Sequence, residues 1–373
     1  MFTRLGPTVI SLCLAAGWAA ASPPYAEYRV TVMGPANSAA TDINNAGVVV
    51  GRYPFSPTSE HAFLNRGAGL VDLGKRTTGV VAINDKGQVL GHWTDAGGIQ
   101  RGFIYERGTW RDIGSIPGRY SSYTDINNAG YVTAFGAIRD SFEGPHSFLR
   151  APDGTFRDIG SLLFDNPITT AIRLNKHNQI TGASGPLVFP DQPLRAYVWG
   201  KGVMRDLGGF GTEPNSGMAI NDCGQVTGFV SRLEFLHDET AFLYSNGRLI
   251  DLDTRPNSEY RFSGGTGINN HGHVVGYSNH LSGFVYRGRK MESLNALIDP
   301  KLGWDIGYPV SINDAGQIAA SADRGGVRYA VRLDLLRPLD LRVPDEARQA
   351  TLPEDADESD DTHANELVQP VLQ

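Results

Sequence analysis

The chain has 373 residues, including 45 glycines, and 20% of its residues are charged. Its 33 basic and 40 acidic residues give a formal net charge of −7, and the whole excess lies in residues 337–373, which contain 3 basic and 10 acidic groups. Residues 1–336 are neutral, with 30 groups of each sign. A neutral body lacks the basic face that phosphate binding requires, so we expect no nucleic-acid partner.

The first residues have the pattern of a secretory signal peptide. Arg4 is followed by a short apolar run and then by the small residues Ala19 and Ala21 at the cleavage position. The apolar run is interrupted by Gly and Pro and is shorter than the roughly 20 residues that cross a bilayer. We therefore predict a signal peptide at 1–21, no transmembrane segment, and a secreted or extracellular protein, with the periplasm as the alternative. Only Cys223 would remain after cleavage, which excludes an intramolecular disulfide.

A turn motif then recurs seven times, with Ile or Leu, Asn, two variable residues and Gly. Asn at the first position of a type I turn caps backbone amides, and Gly at the fourth accepts a positive φ. The fourth unit has Asn178 in place of Gly, and Asn is the residue that best tolerates this conformation. Turn formation therefore explains the repeated Asn residues without a ligand. They are Asn44, Asn84, Asn127, Asn175, Asn221, Asn269 and Asn313, at spacings of 40, 43, 48, 46, 48 and 44 residues.

Each unit continues with three further strands. An alternating strand follows the turn, and a third strand carries a small residue before an aromatic one, as in Ala62-Phe63. A second hairpin leads to a closing strand that ends in Asp-Leu-Gly or a relative, and Asn246-Gly247 in the fifth unit is a type I′ turn signal. Four short strands repeated every 40–48 residues predict an all-β, seven-bladed β-propeller with four-stranded blades.

The two ends of the repeat region complement each other. The seventh unit supplies three strands and no fourth, whereas an extra strand at 28–34 precedes the first turn motif. We predict that this N-terminal strand completes the last blade. The domains are then the signal peptide, a propeller at 22–336, and an acidic, disordered tail at 337–373 that is dispensable for folding.

Three motifs in fixed order resemble the HAF-repeat family of extracellular bacterial repeat proteins. They are the Ile-Asn-x-x-Gly-x-Val-x-Gly segment, His61-Ala62-Phe63-Leu64 and Asp72-Leu73-Gly74. The resemblance covers about residues 28–335 and implies export and a propeller-like repeat fold. The full His-Ala-Phe tripeptide occurs once, and His146-Ser147-Phe148 is nearest to it. The family implies no established activity.

No catalytic, metal or cofactor motif emerges from the chain. The repeated Asp of Asp-Leu-Gly lies on separate blades, so its carboxylates are expected to bond neighbouring turns rather than converge on a metal. His61 and His146 open the same strand in different blades and are expected to be structural. We therefore predict no metal, no cofactor and no catalytic residue.

Ligand binding is instead expected where the units differ. The tight hairpins all lie on one face, so the longer connections emerge on the opposite face, where aromatic and charged residues concentrate. The candidate ligand-binding residues are His92, Trp93, Tyr120, Tyr123, Tyr260, Arg261, Trp304 and Tyr308.

These features favour an exported, non-catalytic, monomeric propeller that binds a glycan or a protein partner through its long-loop face. The alternative is an exported hydrolase or lyase whose carboxylates meet at the mouth of the central channel. Its candidate carboxylates are Asp191, Asp238, Glu239 and Asp305.

Overall fold

The computed structural model describes ten segments of the chain. They are 26–57, 59–74, 79–116, 120–137, 144–162, 167–186, 193–211, 213–232, 238–255 and 260–336. The predicted signal peptide at 1–21 and the predicted tail at 337–373 lie outside them, and so does Asp191. The described residues form seven antiparallel four-stranded sheets, which confirms the predicted seven-bladed β-propeller.

Strand β1 spans Tyr28–Val32, and six blades follow it in chain order. Blades 1 to 3 comprise β2 to β13, at Ala39–Ile43, Val49–Ser56, Ser59–Asn65, Leu70–Gly74, Gly79–Ile83, Val89–Thr94, Gln100–Glu106, Thr109–Gly114, Tyr120–Ile126, Val132–Ala137, His146–Arg150 and Phe156–Asp158. Blades 4 to 6 comprise β14 to β25, at Pro167–Leu174, Ile180–Pro186, Arg195–Gly200, Val203–Asp206, Asn215–Ile220, Val226–Arg232, Asp238–Ser245, Arg248–Asp251, Ser263–Ile268, Val274–Ser278, Ser282–Arg287 and Lys290–Ser293.

Blade 7 contains both ends of the repeat region. Its inner strands β26 to β28 span Trp304–Ile312, Ile318–Arg324 and Val327–Leu335. Strand β1 pairs antiparallel with β28, with Tyr28 opposite Leu335 and Val32 opposite Val331. This confirms closure by the N-terminal strand. Two 3-10 helices, at Leu294–Leu297 and Pro300–Leu302, are the only helices within the described segments.

Each pair of neighbouring blades shares one hydrophobic cluster. Between blades 1 and 2, for example, Val50 and Leu64 pack with Val80 and Phe103. Seven such clusters occupy the seven interfaces, including the one between blades 7 and 1. The core is therefore a ring of interfaces rather than one central mass.

In five of the seven blades, glycine in the second strand makes room for the aromatic residue of the third, and in blade 3 Ala134 lies opposite Phe148. Gly51 lies opposite Phe63, and a Cβ at Gly51 would lie 2.7 Å from the Phe63 ring and 2.2 Å from Ala39 O. In blade 7, where Val331 replaces the aromatic residue, Ala320 replaces the glycine. The same pairing recurs as Gly91 with Phe103, Gly182 with Tyr197, Gly228 with Phe242 and Gly276 with Phe284.

The seven repeated Asn residues lie at one end of the central channel, which we call the turn face. In each turn the Asn Oδ1 accepts a bond from the backbone N–H four residues later, as from Val48 to Asn44 at 2.9 Å. Asn178, in the glycine position of the fourth turn, has a φ of 59°. The predicted turn role of these residues is thus confirmed.

The same seven side chains also join the blades, which the sequence analysis did not foresee. The Nδ2 of each Asn donates to the backbone oxygen of the next Asn, beginning with Asn44 to Asn84 at 3.0 Å. The series ends with Asn313 donating to Asn44 O at 3.0 Å, which closes the circle. The five intervening bonds are 2.9 to 3.1 Å long. We call this closed circle of seven bonds the asparagine ring.

Loss of β1 should destabilise the whole propeller rather than one blade. A chain that begins at residue 35 lacks the β1–β28 pairing and leaves β28 as an open edge. We expect its thermal midpoint to fall by on the order of 10 °C in a single transition, relative to a chain that begins at residue 26. Equal midpoints for the two chains would contradict the closure.

Replacing one asparagine of the ring by aspartate should weaken two blades at once. Asn221→Asp puts a carboxylate oxygen where the buried Nδ2 donates to Asn269 O at 2.9 Å. We expect a loss of about 2 kcal/mol or more in the free energy of unfolding, measured by chemical denaturation. The matched control is Asn246→Asp, at an exposed type I′ turn position that accepts either residue. A ring without energetic importance would give both variants the same stability.

Candidate functional site

The end of the propeller opposite the turn face carries the long connections, and we call it the long-loop face. An aromatic cluster there joins blades 6 and 7. The ring of Tyr308 in blade 7 stacks on Tyr277 in blade 6, with centroids 5.7 Å apart and planes at 13°. Phe262 packs against the same Tyr277 at 5.2 Å. Tyr308 is 49% exposed, so one face of its ring remains open.

A carboxylate from blade 5 completes this cluster. The Tyr277 hydroxyl donates to Glu239 Oε2 at 2.9 Å. Burial raises the pKa of the Tyr308 hydroxyl, and the negative charge of Glu239 raises it further. Glu239 is therefore close to both tyrosines. We call Glu239, Phe262, Tyr277 and Tyr308 the aromatic site.

An additional bulge in β26, between Ile306 and Tyr308, explains the position of Tyr308. The register of β26 against β27 shifts between Ile306 and Tyr308 and again between Pro309 and Ser311. Each bulge re-aims the side chains that follow it. Blade 7 alone has two such shifts in its first strand within the described residues, so the repeat pattern does not predict this placement.

The structure brings only part of the predicted ligand-binding set to this site. Tyr260 is 55% exposed and lies two residues before Phe262 in the chain. Its neighbour Arg261 is buried, and its Nη1 donates to Asp253 O at 2.7 Å and pairs with Asp251 at 3.2 Å. Arg261 is thus committed to internal contacts, and it is not part of the aromatic site.

Tyr123 and Trp304 also serve the packing of the blades. Tyr123 is 2% exposed, and its hydroxyl donates to Gly114 O at 2.5 Å. Trp304 is buried beneath the guanidinium of Arg324, whose carbon lies 4.3 Å from the ring centroid. We therefore correct the predicted placement of both residues on an open binding surface. The side chain of Tyr120 lies outside the described residues.

His92 and Trp93 lie together in blade 2, remote in the ring from the aromatic site. Burial lowers the pKa of the half-buried His92. Trp93 packs against the cluster between blades 1 and 2, with Arg101 5.9 Å from its ring centroid. The predicted residues whose side chains the structure describes consequently do not form one site.

The carboxylates proposed for an enzyme do not share partners. Asp191 and the side chain of Asp238 lie outside the described residues. Glu239 accepts from Tyr277, whereas Asp305 accepts from Asn295 Nδ2 at 2.9 Å and from Ser282 Oγ at 3.3 Å. Glu239 and Asp305 therefore have separate environments.

The repeated Asp of Asp-Leu-Gly has the structural role expected of it. Asp72 Oδ1 accepts from Gly74 N at 2.7 Å and closes the turn that ends the blade. The same carboxylate lies 3.0 Å from His61 Nδ1, and Asp158 lies 2.9 Å from His146 Nδ1. In two other blades an arginine takes the place of the histidine. Arg101 lies 2.9 Å from Asp112, and Arg195 lies 4.0 Å from Asp206. His146 and Asp158 also line a cavity of about 340 Å³.

A second set of charged groups, which sequence reasoning missed, lines the central channel next to the asparagine ring. Asp42, Asp125 and Arg173 face a cavity of about 230 Å³. Each stands directly before the Ile or Leu of a turn motif, and the equivalent residues of the other four units are Ala82, Ala219, Gly267 and Ser311. The sequence feature that could have identified these residues is the charged residue directly before the turn motif, which occurs in three of the seven units.

Both channel carboxylates are buried and accept bonds from a neighbouring blade. Asp42 Oδ2 accepts from Ile83 N at 3.0 Å, and Asp125 Oδ2 accepts from Leu174 N at 2.9 Å. Burial raises the pKa of Asp125 to about 7, Arg173 opposes this rise, and the charge of Asp42 adds to it. Burial likewise raises the pKa of Asp42.

The mouth of the channel at the turn face is ringed by the residue after each ring asparagine. Three of these seven residues are carboxylates and one is a lysine, so the mouth carries a net negative charge. Interblade bonds join most of them, as from Asn45 N to Asp85 Oδ1 at 2.8 Å. The members are Asn45, Asp85, Asn128, Lys176, Asp222, Asn270 and Asp314.

Two features are absent from the described segments of the chain. No group of three or more His, Cys, Asp or Glu side chains there is placed to hold a metal ion. No helix in these segments has the length and apolar character needed to cross a membrane.

Comparisons with known proteins identify the fold. No family model matches the sequence, and no curated protein matches it. Acylaminoacyl peptidase from Pyrococcus horikoshii is similar over 80% of this chain, with 10% identity and a TM-score of 0.57. This chain spans about half of that enzyme, 51% of its length.

Two further solved structures match over nearly their whole length. The β-propeller domain of the Trilobed protease from Pyrococcus furiosus, described as having an open velcro topology, aligns with 88% of this chain and 100% of its own, at 9% identity and a TM-score of 0.55. YCF48 bound to D1 peptide aligns with 84% of this chain and 98% of its own, at 9% identity and a TM-score of 0.51. At such low identity these likenesses define the class as a β-propeller and show the fold alone.

The channel carboxylates should make stability depend on pH between about 5 and 8. The folded-state pKa of Asp125, about 7, lies above the value near 4 that an unfolded chain has. Folding therefore binds a proton in this window, and stability is greatest at the acidic end and falls as the pH rises through 7. Between pH 5 and pH 8 we expect a loss on the order of 2 kcal/mol in the free energy of unfolding by urea.

Asp125→Asn should flatten this dependence because the variant has no carboxyl to titrate at that position. Asp153→Asn, at an exposed turn whose carboxylate has a lowered pKa, is the matched control and should keep the wild-type slope. Identical slopes for wild type and Asp125→Asn would show that the residue does not titrate in this range.

Proposed function

We propose that this protein is an exported, monomeric binding protein of the HAF-repeat type, and that its long-loop face binds a protein or glycan partner through the aromatic site. Export is supported by the signal-peptide pattern at 1–21, and the family by the order of the three repeated motifs. The observation that carries the binding proposal is the open ring face of Tyr308, fixed by Tyr277 beside the carboxylate of Glu239.

The chemistry of the aromatic site favours a protein partner with a basic side chain. A guanidinium or ammonium group is attracted to the face of a tyrosine ring, and a neighbouring carboxylate adds an ionic contact. Tyr308 and Glu239 come from different blades, and Tyr277 contacts both of them, so the site is assembled in the protein without a partner. YCF48, whose fold is similar, has been solved with the D1 peptide, which supports peptide binding by this architecture.

A hydrolase or lyase receives less support. Two of its candidate carboxylates, Glu239 and Asp305, have separate hydrogen-bond partners. General acid–base chemistry of the expected kind needs two carboxyl groups at a defined separation around one substrate. Binding is accordingly the function that the described residues support best.

Removing the exposed ring should weaken partner binding. On arrays of peptides and glycans, we expect the full chain to bind the peptides that contain Lys or Arg. Tyr308→Ala should raise the Kd of these peptides about tenfold, through loss of a contact of roughly 1 kcal/mol or more. Glu239→Gln should raise it as well and reduce its dependence on salt.

Phe55→Ala is the matched control, because Phe55 is an exposed aromatic ring, 61% accessible, in blade 1. It should leave binding unchanged. If the protein bound only glycans, and Tyr308→Ala weakened that binding, the site would be assigned to sugars instead. Full binding by Tyr308→Ala would overturn the proposal for this site.

A further inference from the structure

The central channel has a second candidate binding site at the turn face, on the opposite side of the propeller from the aromatic site. Its cavity of about 230 Å³ is lined unevenly. At the inner level of the cavity, charged side chains come from blades 1, 3 and 4, whereas blades 5, 6 and 7 present Ala219, Gly267 and Ser311 at the equivalent positions and blade 2 has Ala82 there. Small residues on one side leave space, and charges on the other side provide contacts.

Arg173 is the cationic group at the inner level of this cavity, with Lys176 at the mouth, and most of the Arg173 donors are unused among the described residues. Among the described residues its guanidinium donates one hydrogen bond, from Nη1 to Thr124 O at 3.1 Å. No described carboxylate oxygen lies within 4.0 Å of it. A guanidinium has five N–H donors in a planar fork that matches a carboxylate. The remaining donors are therefore suited to an anionic group of a ligand.

The anionic groups of the site lie at two levels. Asp42 and Asp125 face the cavity beside Arg173, and each still has lone pairs beyond its bonds to the backbone. Asp85, Asp222 and Asp314 stand at the mouth, where Lys176 pairs with Asp222 at 3.3 Å. The channel as a whole is negative, and Arg173 is the cation at its inner level. Its charge lowers the pKa of both Asp42 and Asp125, against the effect of burial, without a described carboxylate contact within 4.0 Å.

We propose that this channel binds a small cationic amino acid, such as free lysine or arginine. The carboxylate of the ligand would pair with Arg173, its α-ammonium group with Asp42 and Asp125, and its side-chain cation with the carboxylates at the mouth. Each charged group of the ligand would then face a group of opposite charge in the cavity. It is independent of the aromatic site, which lies at the other face.

Other ligand classes match this set of charges less well. A divalent metal ion needs several converging oxygen ligands, and the described residues contain no such group of three acidic or His side chains. Arg173 would also repel it. A dianion would meet the net negative charge of the mouth, and a simple diamine would leave Arg173 without a partner.

Titration calorimetry with the full chain tests the proposal without any substitution. We expect L-arginine and L-lysine to bind, and to bind at least tenfold more tightly than agmatine and cadaverine, which are the same cations without the carboxylate. L-Glutamate should not bind measurably. Equal affinity for the amino acid and its decarboxylated amine, or no binding of either amino acid at millimolar concentration, would overturn the proposal.

Variants then assign the contacts. Arg173→Gln should abolish the preference for arginine over agmatine, whereas Arg157→Gln, a guanidinium on the outer part of blade 3, should preserve it. Tyr308→Ala should also preserve the preference for arginine over agmatine. The proposal for the aromatic site and the proposal for the channel can therefore be refuted separately. A preference for L-arginine that persists in folded Arg173→Gln would refute the role of Arg173.

Discussion

The asparagine ring is the constraint on which the rest of the molecule depends. Each of its seven side chains closes its own turn through Oδ1 and reaches the next blade through Nδ2. Both tasks need an amide, because a carboxylate lacks the donor and a hydroxyl is too short for two partners. The ring fixes the first strands around a common axis, and the channel, its mouth and the spacing of the blades follow from it. The long-loop face can vary without loss of the ring, because the seven ring bonds lie at the other end of the channel.

The sequence allowed the fold to be predicted nearly completely, for a physical reason. Turn chemistry is local, so Asn and Gly at fixed offsets identify seven hairpins, and the missing fourth strand of the last unit identifies the closure. The type I′ turn at Asn246-Gly247 is confirmed by φ values of 52° and 75°. What local reasoning could not supply was the second bond of each ring asparagine, because that bond joins residues 40 to 48 positions apart along the chain, or 269 at the closure.

The candidate site was less accessible to such reasoning. Tyr308 and Glu239 were identified as candidates, but for different functions, and only the structure places both against Tyr277. Tyr123 and Arg261 were selected for their chemical type, and burial gives them structural roles. Aromatic and arginine side chains serve packing and binding equally well, so composition alone does not separate the two. The charged channel residues were missed because they lie directly before the turn motif, at a position where three units have a charged residue and four do not.

The asparagine ring has no first or last member. Every repeat carries both the donor and the acceptor for its neighbours, and the clasp between β1 and β28 is an ordinary antiparallel pairing like those within the other blades. The order in which the blades are synthesised is therefore not imposed by their contacts. A circularly permuted propeller could be opened between two other blades, with residue 335 joined to residue 28. It would contain the same set of interfaces. A repeat unit could likewise be duplicated or exchanged as a whole, since each unit supplies one donor and one acceptor for the bonds to its two neighbours.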